Sequence, residues 1–369
     1  MISPVEVSLF DTSGPLRDLR PQIDAAIARV VDSGRFILGA EVTAFEDEFA
    51  AYCGARHAIG VANGTEALTI ALRAMGVGPG DDVVVPSFTF YASAEAIPPT
   101  GARPVFCDVD PASGCVSAET VRAALTPATK AVVAVHLFGN VAPVAEIEAL
   151  GVPVLEDAAQ AAGTATAAGR PGALGTAATW SFFPSKNLGA FGDGGAITTS
   201  DEQVADRCRM LRFHGSYDKQ SFAHVGYNSR LDELQAAILR VQLPHLDAWA
   251  DGRRAAAARY EEAGLGEVVA LPRVAGGAHP AWHLYVVRHD RADDLAEAFA
   301  ERGIGCKAYY RVPTHLQPAM AAWGAGVALP GTEEAARTHL AIPMSPVLDA
   351  TQAAEVTAVA REALVGAPA

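Results

Sequence analysis

Basic residues are scarce in this 369-residue chain, and lysine is the scarcest of them. Lys and Arg together number 28 against 42 Asp and Glu, which gives a formal net charge of −14. Nucleic acids and anionic membranes favour clustered positive charge, so neither is expected as the main partner. The only lysines are Lys130, Lys186, Lys219 and Lys307.

Cysteine and long apolar runs are also in short supply. The five cysteines include no CxxC pair and no neighbouring histidine cluster, so neither a disulfide framework nor a metal site is expected. The longest apolar runs, such as residues 131–135, have the length of a strand and are too short to cross a bilayer. The first residues lack the pattern of a signal peptide. We therefore expect a cytoplasmic protein with reduced thiols.

Hydrophobic residues make up 50% of the chain and charged residues 19%, which is ample core material for a globular protein. Residues 15–55 carry apolar side chains at three- and four-residue steps, which predicts a helical N-terminal segment. Short β-branched runs then alternate with amphipathic stretches. The predicted strands cover residues 82–85, 104–107, 131–135, 152–155, 177–183 and 195–199. This alternation predicts an α/β fold with a mostly parallel sheet between helices.

The pattern changes in the last third of the chain. Residues 229–248 are predicted to form one long helix, and shorter stretches follow, including strands near 283–288 and 306–310. These stretches predict a small α+β domain appended to the large one. We expect a large domain over residues 1–249 and a small domain over residues 250–369.

Two segments end predicted strands with polar residues, and ligands bind at the C-terminal ends of strands in such sheets. The segment 63–65, Asn-Gly-Thr, precedes a helix whose free N–H groups suit a phosphate, although an ordinary helix cap is the simpler explanation. The segment 154–160 delivers the acids Glu156 and Asp157. Such an acid can pair with a protonated ring nitrogen, and a helix cap by Asp157 is the alternative.

A third segment, residues 180–196, contains Lys186 in a glycine-rich turn between two predicted strands. Aromatic residues and glycines flank this lysine, so its amine can be desolvated and its pKa lowered, as a Schiff-base amine requires. An acid for a ring nitrogen, a lysine for a Schiff base and small polar residues for a phosphate are together the requirements of pyridoxal 5′-phosphate (PLP).

The order of these segments resembles the fold-type I PLP-dependent transferases of the aspartate aminotransferase superfamily. Along nearly the whole chain, the motifs resemble the DegT/DnrJ/EryC1/StrS sugar aminotransferase family. The similar segments are residues 34–39, 86–90, 180–196, 225–237 and 309–318. The resemblance implies a fold-type I architecture and a PLP or PMP cofactor.

The resemblance also implies roles at the cofactor. Lys186 matches the lysine that forms the Schiff base and then moves protons as general acid and base. Asp157 matches the acid that pairs with the pyridine nitrogen, and Gln160 matches the residue near the phenolic oxygen. Contacts to the phosphate or the ring are implied for Gly64, Thr65, Ser181 and Phe90. For Phe90, a place in the core is the alternative.

Other implied residues concern the substrates and a partner subunit. Asn228 matches a residue that reaches the phosphate of the neighbouring subunit, which implies a homodimer with a shared active site. Arg230 is a candidate for binding the carboxylate of the amino donor, with an ordinary ion pair as the alternative. Tyr310 and His315 match positions near the sugar, although a structural role is common for such a histidine.

The implied activity is amino transfer, from L-glutamate, to the ketone of a nucleotide-activated 3-keto- or 4-keto-deoxysugar in amino-sugar biosynthesis. The alternatives are a keto-cyclitol aminotransferase, another PLP enzyme such as a sugar dehydratase, and a PLP-binding regulator without turnover. A dehydratase branch of the family has His in place of the lysine, so Lys186 favours transamination. Pro184 departs from the family, which frequently has His there or beside it.

Overall fold

The computed structural model of the chain describes residues 7–275 and 277–365. A large sheet contains the strands β1 (His57–Val61), β2 (Asp82–Pro86), β3 (Arg103–Cys107), β4 (Thr129–Val135), β5 (Val154–Asp157), β6 (Ala177–Ser181) and β7 (Gly195–Thr199). Their order across the sheet is β1-β7-β6-β5-β4-β2-β3. Within this sheet β7 runs opposite to the other six strands, which share one direction. The predicted α/β fold is therefore confirmed.

Helices cover the sheet, and their positions follow local signals. They are α1 (Arg20–Ser33), α2 (Ala40–Cys53), α3 (Gly64–Ala74), α4 (Ala92–Glu95), α5 (Ala118–Ala124), α6 (Val144–Glu148), α7 (Glu202–Arg212), α8 (Glu233–Gln242) and α9 (Leu246–Glu262). Gly34 ends α1 at a φ of 63°. Asp201 and Asp232 cap α7 and α8 by accepting hydrogen bonds from backbone N–H groups. Every residue of β2 and β7 is buried, as expected for strands that are covered on both faces of the sheet.

The prediction of one helix over residues 229–248 is wrong in two places. The helix α8 starts only at Glu233, after the cap by Asp232, and ends at Gln242. A 3-10 turn at Leu243–His245 then separates it from α9. The turn contains Pro244, which has no N–H for a helical hydrogen bond and crowds the preceding turn.

A second, antiparallel sheet contains only β8 (Tyr285–Arg288) and β9 (His339–Ile342). It is accompanied by α10 (Ala292–Glu301), α11 (Ala321–Gly324), α12 (Pro330–Thr338) and α13 (Ala350–Leu364). The strand predicted near residues 306–310 is wrong, because only a single bridge joins Lys307 to Ala341. The sequence pattern did not predict β9, a short strand that exists through its pairing with β8.

The hydrophobic core is divided between the two sheets. A separate cluster packs residues of α9, α10 and α13 against β8 and β9, with Tyr260 and Phe299 at its centre. Other C-terminal residues, including Leu284 and Tyr310, join the core of the large sheet. The predicted division between residues 249 and 250 lies inside the continuous helix α9. Among the described residues, no helix has the length and apolar character needed to span a bilayer.

Candidate active site

A cavity of ≈ 380 Å³ opens at the carboxyl ends of β1, β5 and β6. Parallel strands end at the same edge of a sheet, so three distant segments of the chain meet there. Eight residues proposed from the sequence line the cavity: Gly64, Thr65, Phe90, Asp157, Gln160, Ser181, Lys186 and Tyr310. A larger cavity of ≈ 870 Å³ shares Phe10, Ser185 and Lys186 with it.

Asp157 is the last residue of β5 and is 5% exposed. Its Oδ2 accepts a hydrogen bond from Ser93 Oγ at 2.7 Å, and its Oδ1 accepts one from the Ala159 N–H at 3.2 Å. Ser93 is within hydrogen-bond distance of Thr89 Oγ1, at 3.0 Å. The carboxylate is therefore held in a fixed orientation at the cavity wall.

The preceding acid, Glu156, faces away from the cavity and is fully buried. Its carboxylate lies 2.8 Å from His136 Nε2. Because His136 Nδ1 accepts from the Ala142 N–H, the ring proton is on Nε2, which donates to Glu156. The carboxylate also accepts from the backbone N–H groups of Gly172, Leu174 and Gly175. Glu156 thus organises the loop before β6, whereas its neighbour serves the cavity.

Gln160 has both ends of its amide engaged. Its Oε1 accepts from the Phe138 N–H at 2.7 Å, and its Nε2 donates to Tyr310 OH at 3.1 Å. The Tyr310 ring is 7% exposed and stacks on Phe138, with the ring centroids 5.9 Å apart. Burial raises the pKa of the Tyr310 hydroxyl, so this group stays protonated. This hydrogen bond fixes Tyr310, from beyond β8, against the large sheet.

Lys186 lies in the loop between β6 and β7 and lines both cavities. Desolvation lowers the pKa of its amine to about 8, against the opposing effect of the Asp157 charge. The sequence-based expectation of a desolvated amine agrees with this environment. A lysine with such a pKa exists in both protonation states near neutral pH and can exchange a proton.

The Lys186 loop is held by three side-chain amides. Asn187 Nδ2 donates to the carbonyls of Ala162 and Ala281, each at 3.1 Å. Gln242 Nε2 donates to the Gly189 carbonyl at 2.8 Å, and Gln235 Oε1 accepts from the Phe191 N–H at 2.8 Å. The helix α8 therefore positions the loop from outside, which gives the motif over residues 225–237 a structural purpose.

The N-terminus of α3 forms the opposite end of the cavity. Asn63 caps the helix by accepting from the Glu66 N–H at 2.8 Å, so the simpler alternative for this segment is present. The backbone also packs closely here, because a Cβ on Gly64 would lie 2.8 Å from Ser181 Cβ. The cap and the cavity-lining Gly64 and Thr65 coexist, and free N–H groups at a helix start suit an anion.

Phe90 is 57% exposed and lines the cavity, which excludes the alternative of a core residue. The core position belongs to Phe88, which is 2% exposed.

Three predicted residues lie outside this cavity. Asn228 is exposed and bridges Phe213, and Arg230 is half-buried with no ion pair among the described residues. His315 is 1% exposed and bonded through Nδ1 to Ser87 Oγ at 2.6 Å, which argues against its predicted sugar contact.

The sequence reasoning missed several residues of this wall. Ser93 orients Asp157 across 64 positions of sequence, and no local pattern signals that contact. His283, Tyr309 and Phe10 also line the cavity. The pair at 309–310 stood inside a recognised segment, whereas His283 had no signal beyond its position at the start of the strand predicted near 283–288.

The cavity suits PLP in two respects. The Lys186 amine, with its lowered pKa, and the oriented Asp157 carboxylate line the same cavity. A Schiff base needs such an amine, and a protonated ring nitrogen needs such an acid. The close packing at Gly64 leaves backbone N–H groups near the cavity. Among the described residues, no three His, Cys, Asp or Glu side chains are grouped to hold a metal ion.

The mostly parallel sheet of this chain brings a lysine amine and an acid together at its strand ends. This arrangement is that of the fold-type I transferases. The DegT/DnrJ/EryC1/StrS aminotransferase family model matches residues 17–361. The chain belongs to this family, and the resemblance noted in the sequence is confirmed.

Individual relatives cover almost the whole chain. The dTDP-3-amino-3,4,6-trideoxy-α-D-glucose transaminase of Streptomyces venezuelae is 45% identical over 363 residues, 96% of this chain and 96% of the relative. A pleiotropic regulatory protein of Geobacillus stearothermophilus is 45% identical over 356 residues, 94% of this chain and 96% of the relative. The crystal structure of S. venezuelae DesV in complex with a ketimine intermediate has a TM-score of 0.93 and 45% identity, covering 97% of this chain and 98% of that chain.

Proposed function

We propose that this protein is a PLP-dependent aminotransferase that transfers an amino group, with L-glutamate as donor, to the ketone of a nucleotide-linked keto-deoxysugar. The observation that carries the proposal is the meeting of Lys186, with its lowered pKa, and the oriented Asp157 in one cavity. The 45% identity with a transaminase named for a dTDP-linked amino sugar supports the substrate class and a role in amino-sugar biosynthesis.

Bound PLP supplies an electron sink for the electrons left when an amino acid loses its Cα proton. Lys186 would take up the Cα proton and pass it on, because its amine changes protonation state near pH 8. Asp157, fixed by Ser93 and the Ala159 N–H, presents a carboxylate to the ring nitrogen. Gln160 and Tyr310, joined by a hydrogen bond, form the adjoining wall.

An anionic phosphate is accommodated at the start of α3. The backbone N–H groups of Gly64 and Thr65 and the hydroxyl of Ser181 line the cavity there and would donate to it, and the helix dipole would add favourable charge. Only glycine fits at position 64, since a Cβ there would collide with Ser181. Phe90 offers an exposed ring for stacking at the cavity wall.

The trapping experiment tests this proposal directly. Borohydride treatment of the protein with PLP should attach the cofactor permanently to Lys186, as shown by peptide mass spectrometry. Lys186→Arg is the matched control, because it keeps the positive charge but cannot form the covalent link. Labelling of another lysine in the wild-type protein would contradict the assignment.

The proposed active unit is a homodimer with a shared site. Asn228 is exposed and does not line the cavity of its own chain, and the same segment exposes Tyr217, Phe222 and Val225. Such an apolar surface favours contact with a second copy. Lys186→Ala and Asn228→Asp should each be inactive alone and should regain activity when co-refolded, because a mixed dimer has one intact site. No recovery would place Asn228 outside a shared site.

A regulatory role is the second candidate, because one relative carries a regulatory name at the same identity. Turnover separates the two candidates. Conversion of glutamate to 2-oxoglutarate with a keto sugar present supports the enzyme, and PLP binding without turnover supports the regulator. The same assay with keto-cyclitols, and a search for a sugar product that has lost water, separates the other enzymatic alternatives.

A further inference from the structure

His283 is a buried polar residue in the cavity wall whose side chain has no evident structural partner. It is 4% exposed and lines the ≈ 380 Å³ cavity together with Lys186. Its Nδ1 is shielded from solvent and has no hydrogen-bond partner among residues 7–275 and 277–365. Buried polar atoms are nearly always hydrogen-bonded, so this atom requires an explanation.

The backbone immediately before His283 is strained. The preceding Trp282 has a φ of 41°, in the left-handed region that bulky residues rarely adopt. The backbone packs tightly on Gly139, where a Cβ would lie 2.7 Å from Trp282 N and 3.0 Å from His283 N. The imidazole also stacks on Phe10, with the ring centroids 5.8 Å apart. Strain of this kind persists where a side chain must be held at a defined place.

The charged groups near His283 keep its ring neutral. Burial lowers the pKa of His283 well below its usual value, and the positive charges of Lys186 and Arg253 lower it further. Asp157 is the carboxylate that faces Lys186, and Asp193, Tyr309 and Tyr310 are the other titratable groups on the cavity wall. A neutral imidazole offers one hydrogen-bond acceptor and one donor.

We propose that His283 is a positioning residue for Lys186. The two side chains line one cavity without a hydrogen bond between them in this structure, and rotation of the flexible lysine side chain brings its free amine to donate to His283 Nδ1. This inference rests on the proposed function, in which Lys186 alternates between the bound and free states. A free lysine has a long, flexible side chain, and the Lys186 amine makes no side-chain hydrogen bond to the described residues. A neutral acceptor orients the amine without holding it as tightly as a carboxylate does.

The test measures the pKa of Lys186 in the full-length chain after removal of the cofactor. The pH dependence of Lys186 acetylation, followed by peptide mass spectrometry, is compared for wild type, His283→Phe and His283→Asn. An acceptor stabilises the ammonium form, so His283→Phe should lower the Lys186 pKa by about one unit. His283→Asn keeps an acceptor near the Nδ1 position and should stay within about 0.3 unit of wild type.

Two results would overturn the proposal: an unchanged Lys186 pKa in His283→Phe, or equal shifts in the Phe and Asn variants. Equal shifts would mean that packing, rather than an acceptor, is responsible. Thermal unfolding checks that each variant is folded, and His283→Leu replaces the Phe variant if the larger ring does not fit. Borohydride trapping of PLP on wild-type Lys186 is measured in parallel, so failure of the proposed function is recognised separately.

Discussion

The two sides of the cavity differ in how firmly their polar groups are held. On the acid side, defined here as Ser93, Asp157 and Gln160, every side chain has hydrogen-bond partners at 2.7–3.2 Å. On the amine side, defined as Lys186 and His283, the side chains make no hydrogen bonds to the described residues, and His283 Nδ1 is shielded as well.

The difference corresponds to what each side is proposed to do. A carboxylate that pairs with a ring nitrogen keeps one partner throughout a reaction, so fixed hydrogen bonds orient it without penalty. An amine that bonds to a cofactor, leaves it and moves a proton must change partners. Strong hydrogen bonds to protein groups would slow each change. The acid side is therefore built in advance, whereas the groups of the amine side are left free to change partners.

The largest effect is expected on the amine side, from Lys186→Arg. The guanidinium keeps a positive charge but cannot form the covalent link or transfer the proton, so kcat should fall by about 10⁴-fold or more. Steady-state transamination and borohydride trapping measure the change. Substantial activity in this variant would show that the lysine is not the reacting group.

On the acid side, Asp157→Asn should lower kcat by about 10²–10³-fold while stability changes little, because the partners of the side chain remain. The neighbouring Glu156→Gln provides the matched control. It replaces one of the two buried acceptor oxygens that receive His136 and three backbone N–H groups with an NH2 group that faces donors, so the free energy of unfolding should fall by about 3 kcal/mol. Denaturant titration and kinetics on both variants separate the two roles, and a reversed pattern would contradict the assignment.

Capture of PLP by the cofactor-free protein should depend on pH through the amine side. The lowered pKa of Lys186, about 8, means that the reactive neutral amine becomes abundant as pH rises toward 8. The capture rate should increase roughly tenfold per pH unit below 8 and level off above it. Stopped-flow absorbance measures the capture rate. Labelling of the exposed Lys130 provides the reference for an amine in solvent. A rate that still rises steeply at pH 10 would refute the desolvated environment.

The smallest effect is expected from Ser93→Ala, which removes one of the two hydrogen bonds to Asp157. A single bond to a charged group is worth about 1.5–3 kcal/mol, part of which water can replace, so kcat should fall by about tenfold. Ser93→Thr retains the hydroxyl and serves as the control. If both variants behave alike, the hydroxyl does not orient the carboxylate.

Much of the site was predictable because its parts follow regular positions in the chain. The segments at 63–65, 154–160 and 180–196 each end a buried strand, and parallel strands bring such ends together. For Gly64 and the isolated Lys186, the neighbouring residues in the sequence were enough to indicate the expected chemistry. The helix break at Pro244 was also available from the sequence and was missed in favour of the apolar periodicity.

Other features depend on contacts between distant residues, for which local sequence has no signal. Ser93 meets Asp157 across 64 positions, and Gln160 meets Tyr310 across 150. The strand β9 exists because β8 lies beside it. The sequence of this segment by itself did not predict a strand.

The sequence by itself determined the order of the candidate site segments: residues 63–65, the acid Asp157 and the lysine Lys186, each at or after the end of a strand. Tertiary structure alone decided which groups around them are fixed and which are free. It turned Glu156 away from the cavity and brought His283 into it by a strained turn against Gly139. The physical reason is that residue type sets the chemistry a side chain can perform, whereas burial and partners set its orientation and pKa.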